Sequence, residues 1–237
     1  MGVFIPVDSY MHILEEVGRW KIVGMKKLYQ GLKLNHSYSF FCRQVRKLES
    51  EGLIRSIIGS GKRKYLTLTD LGGKLTPYNA QFEESDAELN HDLIVSNVIY
   101  ELNKFETLGE GHVLHDTDFF EVEPDGLIYI NKDGVHGSMA IEVELTQKAK
   151  PRIVSKYGAY TRADCFNYCL YIFNKEAVYN SYRRQLDGMN DKVREKILLI
   201  CDPSLSISSF QYLGKPVYFE GQERTFENLF ANKKRVT

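Results

Sequence analysis

The sequence lacks any apolar run long enough to cross a bilayer. Its longest runs, such as residues 196–201, are far shorter than the roughly 20 residues that a membrane-spanning helix needs. The N-terminal segment also lacks the basic stretch and the apolar core of a secretory signal peptide. Together these absences predict a cytoplasmic protein with no membrane partner.

Cysteine is also scarce, and the 4 cysteines do not have the spacing of paired metal ligands. Cys165 and Cys169 are four positions apart, which suits neither a zinc knuckle nor a redox Cys-x-x-Cys motif. We expect reduced thiols, as in other cytosolic proteins. Walker A, dinucleotide-binding and nucleophile-elbow motifs are likewise missing, so none of these enzyme classes is indicated.

Acidic residues are few in the first 80 positions. That segment has 13 lysines and arginines against 6 aspartates and glutamates, a net charge of +7, and the remainder carries −7. A basic module joined to an acidic one predicts that the first binds a polyanion while the second does something else. The alternative is an uneven surface composition without functional meaning.

Apolar spacing in this basic segment predicts three helices and then two short strands. Asp8 or Ser9 can cap the first helix, and Phe41, Val45 and Leu48 give the third helix a face to bury. A glycine-rich basic tip, residues 59–64, joins the two strands. The expected elements are, in order, 9–17, 23–32, 38–50, 53–58 and 65–69.

Three helices followed by such a hairpin form the layout of a winged helix-turn-helix. Two segments resemble those of many bacterial winged-helix regulators. Residues 45–54 resemble the end of the recognition helix where it leads into the wing, and residues 65–72 resemble the end of the wing. We therefore predict a winged-helix DNA-binding domain at 1–76 with double-stranded DNA as its partner. The residues expected to contact base edges and phosphates are Ser37, Ser39, Arg43, Arg46 and Lys47 on the helix, and Lys62, Arg63 and Lys64 on the tip. A winged helix used for protein docking is the alternative.

The second part of the chain predicts a mixed α/β domain. Residues 77–88 are polar and irregular, which is typical of a linker, and a domain follows at 89–237. It begins with an amphipathic helix at 89–102. Strands are expected at 113–115, 119–123, 127–130, 139–145, 169–173, 196–201 and 216–219, and helices at 151–163, between 173 and 196, and at 225–229. The fold class is thus α+β with two domains.

The order helix, three strands, helix, strand resembles the core of the PD-(D/E)XK, or restriction-endonuclease-like, fold. Asp125 stands just before one strand, and Glu142 and Glu144 share one face of the next. The resemblance implies a nuclease site in which Asp125 and Glu142 hold Mg²⁺ or Mn²⁺, since hard cations prefer oxygen ligands. The usual lysine of the motif is replaced by Glu144, so Lys148 or Lys156 would have to reach the site. The catalytic candidates are Asp125, Glu142, Glu144, Lys148 and Lys156.

The complete arrangement is similar to the replication-relaxation proteins of plasmids and mobile elements. Those proteins join an N-terminal winged helix to a nuclease-like domain. The resemblance covers roughly residues 8–175. The matching motifs are His91-Asp92-Leu93, Pro124-Asp125-Gly126 and Glu142-Val143-Glu144, with Tyr157 and Tyr160 downstream. The resemblance implies a DNA-binding protein of a mobile element with a metal-dependent endonuclease-like domain.

Two alternatives remain open at this point. Glu142 and Glu144 also fit the solvent-exposed face of an amphipathic antiparallel strand. The whole chain also fits a non-enzymatic transcriptional or replication regulator without a cofactor, whose second domain mediates homodimerisation or partner binding.

Overall fold

The computed structural model describes residues 4–59, 62–78, 85–114 and 122–232. The chain divides into two compact units, 1–96 and 97–237, and the division lies within a single helix, Asp86–Leu102. That helix begins three residues before the predicted position 89, and residues 79–84 of the predicted linker lie outside the described residues. No helix in the described ranges has both the length and the apolarity to cross a membrane.

The first unit contains the predicted three helices and a small antiparallel sheet. Its strands are arranged in the order β1-β3-β2. The elements are α1 (Ser9–Arg19), β1 (Val23–Gly24), α2 (Met25–Leu32), α3 (Tyr38–Ser50), β2 (Ile54–Ile58), β3 (Lys64–Leu68), α4 (Asp70–Gly73) and the start of α5 (Asp86–Leu102).

Helix α3 has the bounds that its sequence pattern predicts. The Ser37 side chain accepts a hydrogen bond from the backbone N–H of Phe40 and caps the helix N-terminus. Phe41, Val45 and Leu48 are buried, which confirms the apolar face. The helix ends at a turn containing Gly52, whose φ of 68° belongs to the left-handed region that favours glycine. The predicted start of α2 at Val23 was wrong by two residues, because Val23 and Gly24 instead pair with β3.

The second unit is built around one mixed seven-stranded sheet in the order β10-β9-β8-β7-β6-β5-β4. Strands β4, β5 and β6 pair antiparallel, whereas β6, β7 and β8 pair parallel. Besides the end of α5, the elements are β4 (Leu108–Val113), β5 (Gly126–Lys132), β6 (Val135–Glu144), α6 (Lys150–Arg162), β7 (Tyr168–Phe173), α7 (Glu176–Asp187), α8 (Asp191–Arg194), β8 (Ile197–Cys201), β9 (Pro216–Phe219), β10 (Gln222–Thr225) and α9 (Phe226–Phe230).

Most of the differences from the predicted strands in this unit occur at the edges of the sheet. Strand β4 extends from Leu108 to Val113, whereas the prediction placed it at 113–115. Residues 119–121 of the strand predicted at 119–123 lie outside the described residues, and residues 122 and 123 are in no strand. The polar strand β10 was not predicted, because the sequence Gln-Glu-Arg-Thr has no apolar alternation.

Strand β6 is an interior strand of the sheet, between β5 and β7, and is covered by the helices that follow it. On one face of the sheet, Ala140 of β6 lies in a core cluster with Tyr157 and Tyr160 of α6 and Tyr182 of α7. Glu142 and Glu144 alternate in phase with Ala140, so they point to this helix-covered face. The fold therefore directs two carboxylates toward a core cluster that contains several tyrosines.

The glycine at the start of β5 allows α5 to pack against the sheet. A Cβ atom at Gly126 would lie 2.4 Å from Cδ1 of Ile99 and 3.1 Å from the carbonyl oxygen of His112. The Ile99 side chain is completely buried, so moving it aside would disturb its neighbours. The missing side chain at Gly126 thus permits a close contact between α5 and the start of β5.

Gly126→Ala is expected to lower the free energy of unfolding by about 1–3 kcal/mol, because it overpacks this contact. The matched control is Gly158→Ala on α6, where the added methyl group meets only a side-chain end of Arg162 at 3.3 Å. That control is expected to leave stability unchanged or to raise it, since alanine favours helix. Chemical denaturation of both variants measures the difference, and equal stabilities would contradict this account of Gly126.

Candidate functional site

The exposed side of α3 carries the residues predicted to contact DNA. Arg43, Arg46 and Lys47 are all exposed, as are Ser37 and Ser39. The hydroxyl groups of the two serines are 3.0 Å apart and hydrogen-bonded. The structure therefore brings these five predicted residues to the N-terminal end and solvent face of one helix.

The predicted lysines differ in how strongly they are neutralised within the unit. Lys47 pairs with Glu51 at 2.6 Å, and Lys64 pairs with Glu49 at 2.8 Å. Lys62 and Arg63 are exposed at the turn of the hairpin, where the backbone N–H of Gly59 donates to the carbonyl of Arg63. Residues 60 and 61 of the tip lie outside the described residues.

A long acid-free stretch surrounds this face in the sequence. Residues 17–48 contain eight lysines and arginines and no aspartate or glutamate. The stretch covers α2 and almost all of α3. A continuous segment without carboxylates favours contact with a polyanion.

The acidic candidates in the second unit meet around Glu142. This carboxylate is only 1% exposed, and Glu144 is 7% exposed. Strand β6 pairs with β5 on one side and, at Glu142 and Glu144, with parallel strand β7 on the other. The interpretation of these glutamates as the solvent-exposed face of an antiparallel strand was therefore wrong.

Both oxygens of the Glu142 carboxylate have partners from helix α6. Lys156 Nζ lies 2.6 Å from Oε2, and the hydroxyl group of Tyr160 donates a hydrogen bond to Oε1. Lys156 and Tyr160 are four residues apart, so one helical turn presents both groups to the same carboxylate. The structure thus brings Glu142 and Lys156 together as predicted catalytic candidates, with Tyr160 as a third member.

Burial dominates the electrostatics of this cluster. Burial and, less strongly, the charge of Asp125 raise the pKa of Glu142, Lys156 and Tyr160 lower it, and the net result is a pKa of about 8. Burial alone would lower the pKa of Lys156, but the neighbouring Glu142 outweighs it and raises that pKa. Glu142 therefore holds its proton to a higher pH than an ordinary glutamate does.

Asp125 approaches the same cluster from the segment before β5. Its Oδ2 atom accepts a hydrogen bond of 2.6 Å from the backbone N–H of Val143, the residue between the two glutamates. Its charge also contributes to the raised pKa values of Glu142 and Glu144. The three acidic side chains predicted from sequence therefore belong to one electrostatic cluster.

Glu144 has its own partners in this cluster. Lys148 Nζ is 3.9 Å from its carboxylate, and the hydroxyl group of Tyr182 on α7 hydrogen-bonds to it. Burial raises the pKa of Glu144, although Tyr182 and Lys148 act in the opposite direction. Lys148 is thus associated with Glu144, whereas Lys156 is associated with Glu142.

Tyr157 and Tyr160 were named only as positions of the resemblance, and no tyrosine was predicted as a site residue. Tyr160 lies one turn after Lys156, a spacing visible in the sequence, but nothing in the local sequence of Tyr182 links it to Glu144. Tyr171 lies beside Glu142 in the register of β6 and β7, and its buried hydroxyl group has no hydrogen-bond partner in the described structure. Tyr160, Tyr171 and Tyr182 all belong to the core cluster on the face of the sheet to which Glu142 and Glu144 point.

The donor set of the cluster has the chemistry of a hard-cation site. Asp125 and Glu142 supply carboxylate oxygens, which Mg²⁺ and Mn²⁺ prefer. In the described ranges, however, no group of three or more histidine, cysteine, aspartate or glutamate side chains has the arrangement of a metal site. A cation at Glu142 Oε2 would have to take the place of the Lys156 ammonium group, which occupies that position at 2.6 Å.

His91 and Asp92, which belong to the motif that resembles the replication-relaxation proteins, lie in the first unit. Asp92 pairs with Lys21 at 3.0 Å, and His91 Nδ1 is 3.9 Å from the Asp92 carboxylate. Ser96, on the same helix, donates to the carbonyl groups of Trp20 and Ile22. These contacts give this segment of α5 a structural role in the first unit.

Comparisons with known proteins identify no family for this chain. No protein-family model matches the sequence, and no curated protein matches it either. The resemblance to replication-relaxation proteins therefore has no support from these comparisons.

Two solved structures show a weak similarity. They are the restriction endonuclease FokI, with 13% identity and a TM-score of 0.26, and FokI bound to DNA, with 14% identity and a TM-score of 0.28. The aligned regions cover 76% and 83% of this chain, but only 40% and 43% of the respective FokI chains. Scores this low do not establish a shared fold. The function must therefore be inferred from the residues of this chain.

The raised pKa of Glu142 predicts a pH-dependent stability. Because this pKa is about 8 in the folded protein against 4.5 ordinarily, the folded state holds the proton more tightly than the unfolded chain. The resulting stabilisation is complete below about pH 4.5 and is lost as the pH rises through 8, at up to about 1.4 kcal/mol per pH unit. Glu142→Gln removes this term, so the variant should gain stability relative to the native protein between pH 5 and 8.

Urea denaturation at a series of pH values, with a chelator present, measures this difference. Glu195→Gln is the matched control, because Glu195 is an exposed carboxylate of the same unit. A difference between the native protein and Glu142→Gln that stays constant over this pH range would contradict the assignment.

Proposed function

We propose that the protein binds duplex DNA through its first unit and that its second unit is an endonuclease-like domain that acts on this DNA. The role would resemble that of the replication-relaxation proteins of plasmids and mobile elements. The observation that carries the proposal is the buried cluster in which Lys156 and Tyr160 bind Glu142 beside Asp125.

The energetic cost of this cluster supports a functional origin. Burying a carboxylate and an ammonium group costs several kcal/mol per ion, and well-packed apolar residues of similar size are often as stable or more stable. Strongly shifted pKa values caused by burial and specific charged partners are typical of functional sites. Glu142 combines near-complete burial, a charged partner and a second nearby acid.

Asp125 and Glu142 are the residues that would hold Mg²⁺ or Mn²⁺ in this site. When bound, such an ion supplies an activated water molecule and neutralises charge on the scissile phosphate. Lys156, released from Glu142, would provide the positive charge that the motif lysine supplies elsewhere, since Glu144 cannot. Tyr160 would keep the Glu142 carboxylate oriented, and Lys148 would remain with Glu144.

The first unit supports DNA binding through the arrangement of its charges. Helix α3 would act as the recognition helix of a winged helix, with Arg43 and Arg46 toward the major groove. Lys62 and Arg63 on the hairpin would contact phosphates as the wing. The stretch of residues 17–48, which includes Arg43 and Arg46, contains no carboxylate that would repel the phosphates of DNA.

The endonuclease proposal predicts Mn²⁺-dependent cleavage of supercoiled plasmid by the full chain. Asp125→Asn and Glu142→Ala are expected to reduce the rate at least about 100-fold, because each removes a ligand of the ion. Glu195→Gln should retain the native rate. Cleavage that survives Glu142→Ala in a protein purified free of other nucleases would rule out the assignment of the site.

DNA binding is predicted to depend strongly on salt. Arg63→Ala should weaken duplex binding and lower the slope of log affinity against log salt by about one unit, because one phosphate contact is lost. Lys175→Ala, an exposed lysine of the second unit, is the control and should change neither quantity. Fluorescence anisotropy with a labelled duplex measures both, and a slope near zero for the native protein would contradict DNA binding.

A non-enzymatic regulator is the second candidate function. The observation in its favour is that both oxygens of Glu142 are already engaged by Lys156 and Tyr160, as in a purely structural ion pair. The second unit would then mediate homodimerisation or partner binding, and no metal would be needed. Specific binding to a palindromic duplex without cleavage or Mn²⁺ affinity would support this candidate over the first.

A further inference from the structure

An exposed phenylalanine interrupts the polar side of α3. Phe40 is 41% exposed and lies one helical turn before Arg43. It lies within the acid-free stretch and next to the serines at the helix N-terminus. An apolar ring here points away from the Phe41, Val45 and Leu48 face that forms the core of the unit.

The surroundings of Phe40 hold its ring in a defined place. The hydroxyl group of Tyr29 donates to the carbonyl oxygen of His36 at 2.8 Å, which fixes the turn before α3. The His36 ring then packs edge-on against Phe40, with centroids 4.7 Å apart. The Arg43 guanidinium also lies over the Phe40 ring, 5.3 Å from its centroid.

The neighbouring aromatic residue Tyr38 differs in this respect. Although it is also 42% exposed, its ring contacts Tyr29 and the buried Phe41. Tyr38 therefore has a packing role in the first unit. The ring contacts described for Phe40 are instead with His36 and Arg43, on the side that the proposed function turns toward DNA.

We propose that Phe40 and Arg43 together read a pyrimidine C5 methyl group next to a guanine in the major groove. This inference rests on the proposed DNA binding. An exposed apolar ring is complementary to the only apolar group on the major-groove edge, the methyl group of a pyrimidine. An arginine whose planar group is held in place by an aromatic ring is preorganised for two hydrogen bonds to guanine O6 and N7.

Two bases carry this methyl group, namely thymine and 5-methylcytosine, and the chemistry at Phe40 is the same for both. The probe is a duplex selected for binding from a randomised pool and resynthesised with single base replacements. Thymine→uracil at each position removes only the methyl group. Cytosine→5-methylcytosine adds it, and guanine→7-deazaguanine removes the N7 acceptor.

One thymine→uracil or cytosine→5-methylcytosine replacement is expected to change the affinity of the native protein about fourfold, the contribution of one buried methyl group. The affinity should fall when the methyl group is removed and rise when it is added. If a thymine→uracil replacement changes the affinity, the methyl group that is read belongs to thymine. If a cytosine→5-methylcytosine replacement changes it, the methyl group belongs to 5-methylcytosine. Phe40→Ala should abolish this sensitivity, whereas Phe40→Leu should retain part of it. Leu71→Ala, at a 52% exposed leucine of the same unit, should leave it unchanged. Arg43→Ala should abolish the response to 7-deazaguanine next to the sensitive pyrimidine.

Two results overturn the inference while leaving DNA binding intact. One is equal affinity of the native protein for methylated and unmethylated bases at every position. The other is an unchanged methyl response in Phe40→Ala, whose folding is checked by circular dichroism. If no duplex from the pool is bound at all, the proposed function of the first unit fails together with this inference.

Discussion

The buried contact between Glu142 and Lys156 is the interaction on which the account of the second unit depends. Strand β6 lies between β5 and β7, and helix α6 covers it, so the Glu142 carboxylate is removed from water. Without Lys156 and Tyr160 the carboxyl group of Glu142 would be buried without these hydrogen-bond partners, which is destabilising. Helix α6 therefore both covers this part of the sheet and supplies the two side chains that bind Glu142.

This dependence links the chemistry of the cluster to the fold. Asp125 binds the backbone of Val143 on β6, and the next residue, Gly126, allows α5 to pack against β5. A cation that binds Asp125 and Glu142 competes with Lys156 for the same carboxylate oxygen, so metal binding and release of the lysine would be coupled. The two candidate functions of the second unit differ in whether this exchange takes place.

The elements with strong local patterns could be predicted from the sequence. Helix α3 and strands β7 and β8 follow from apolar spacing, whereas β6, predicted at 139–145, begins four residues earlier at Val135. The acidic residues that share a cluster could also be predicted from the sequence. The burial of Glu142 could not be predicted, because strict alternation fits an exposed strand equally well. Tyr182 and its contact with Glu144 also could not, since the contact depends on how α7 packs against β6, and β10 carries no apolar signal.

A crystal of the full chain soaked in Mn²⁺, with anomalous scattering recorded at the manganese edge, tests the central claim most directly. The account predicts an anomalous peak between the carboxylates of Asp125 and Glu142, with Lys156 Nζ moved away from Glu142 Oε2. An intact contact between Lys156 and Glu142 at 2.6 Å, with no manganese beside Asp125, would contradict it.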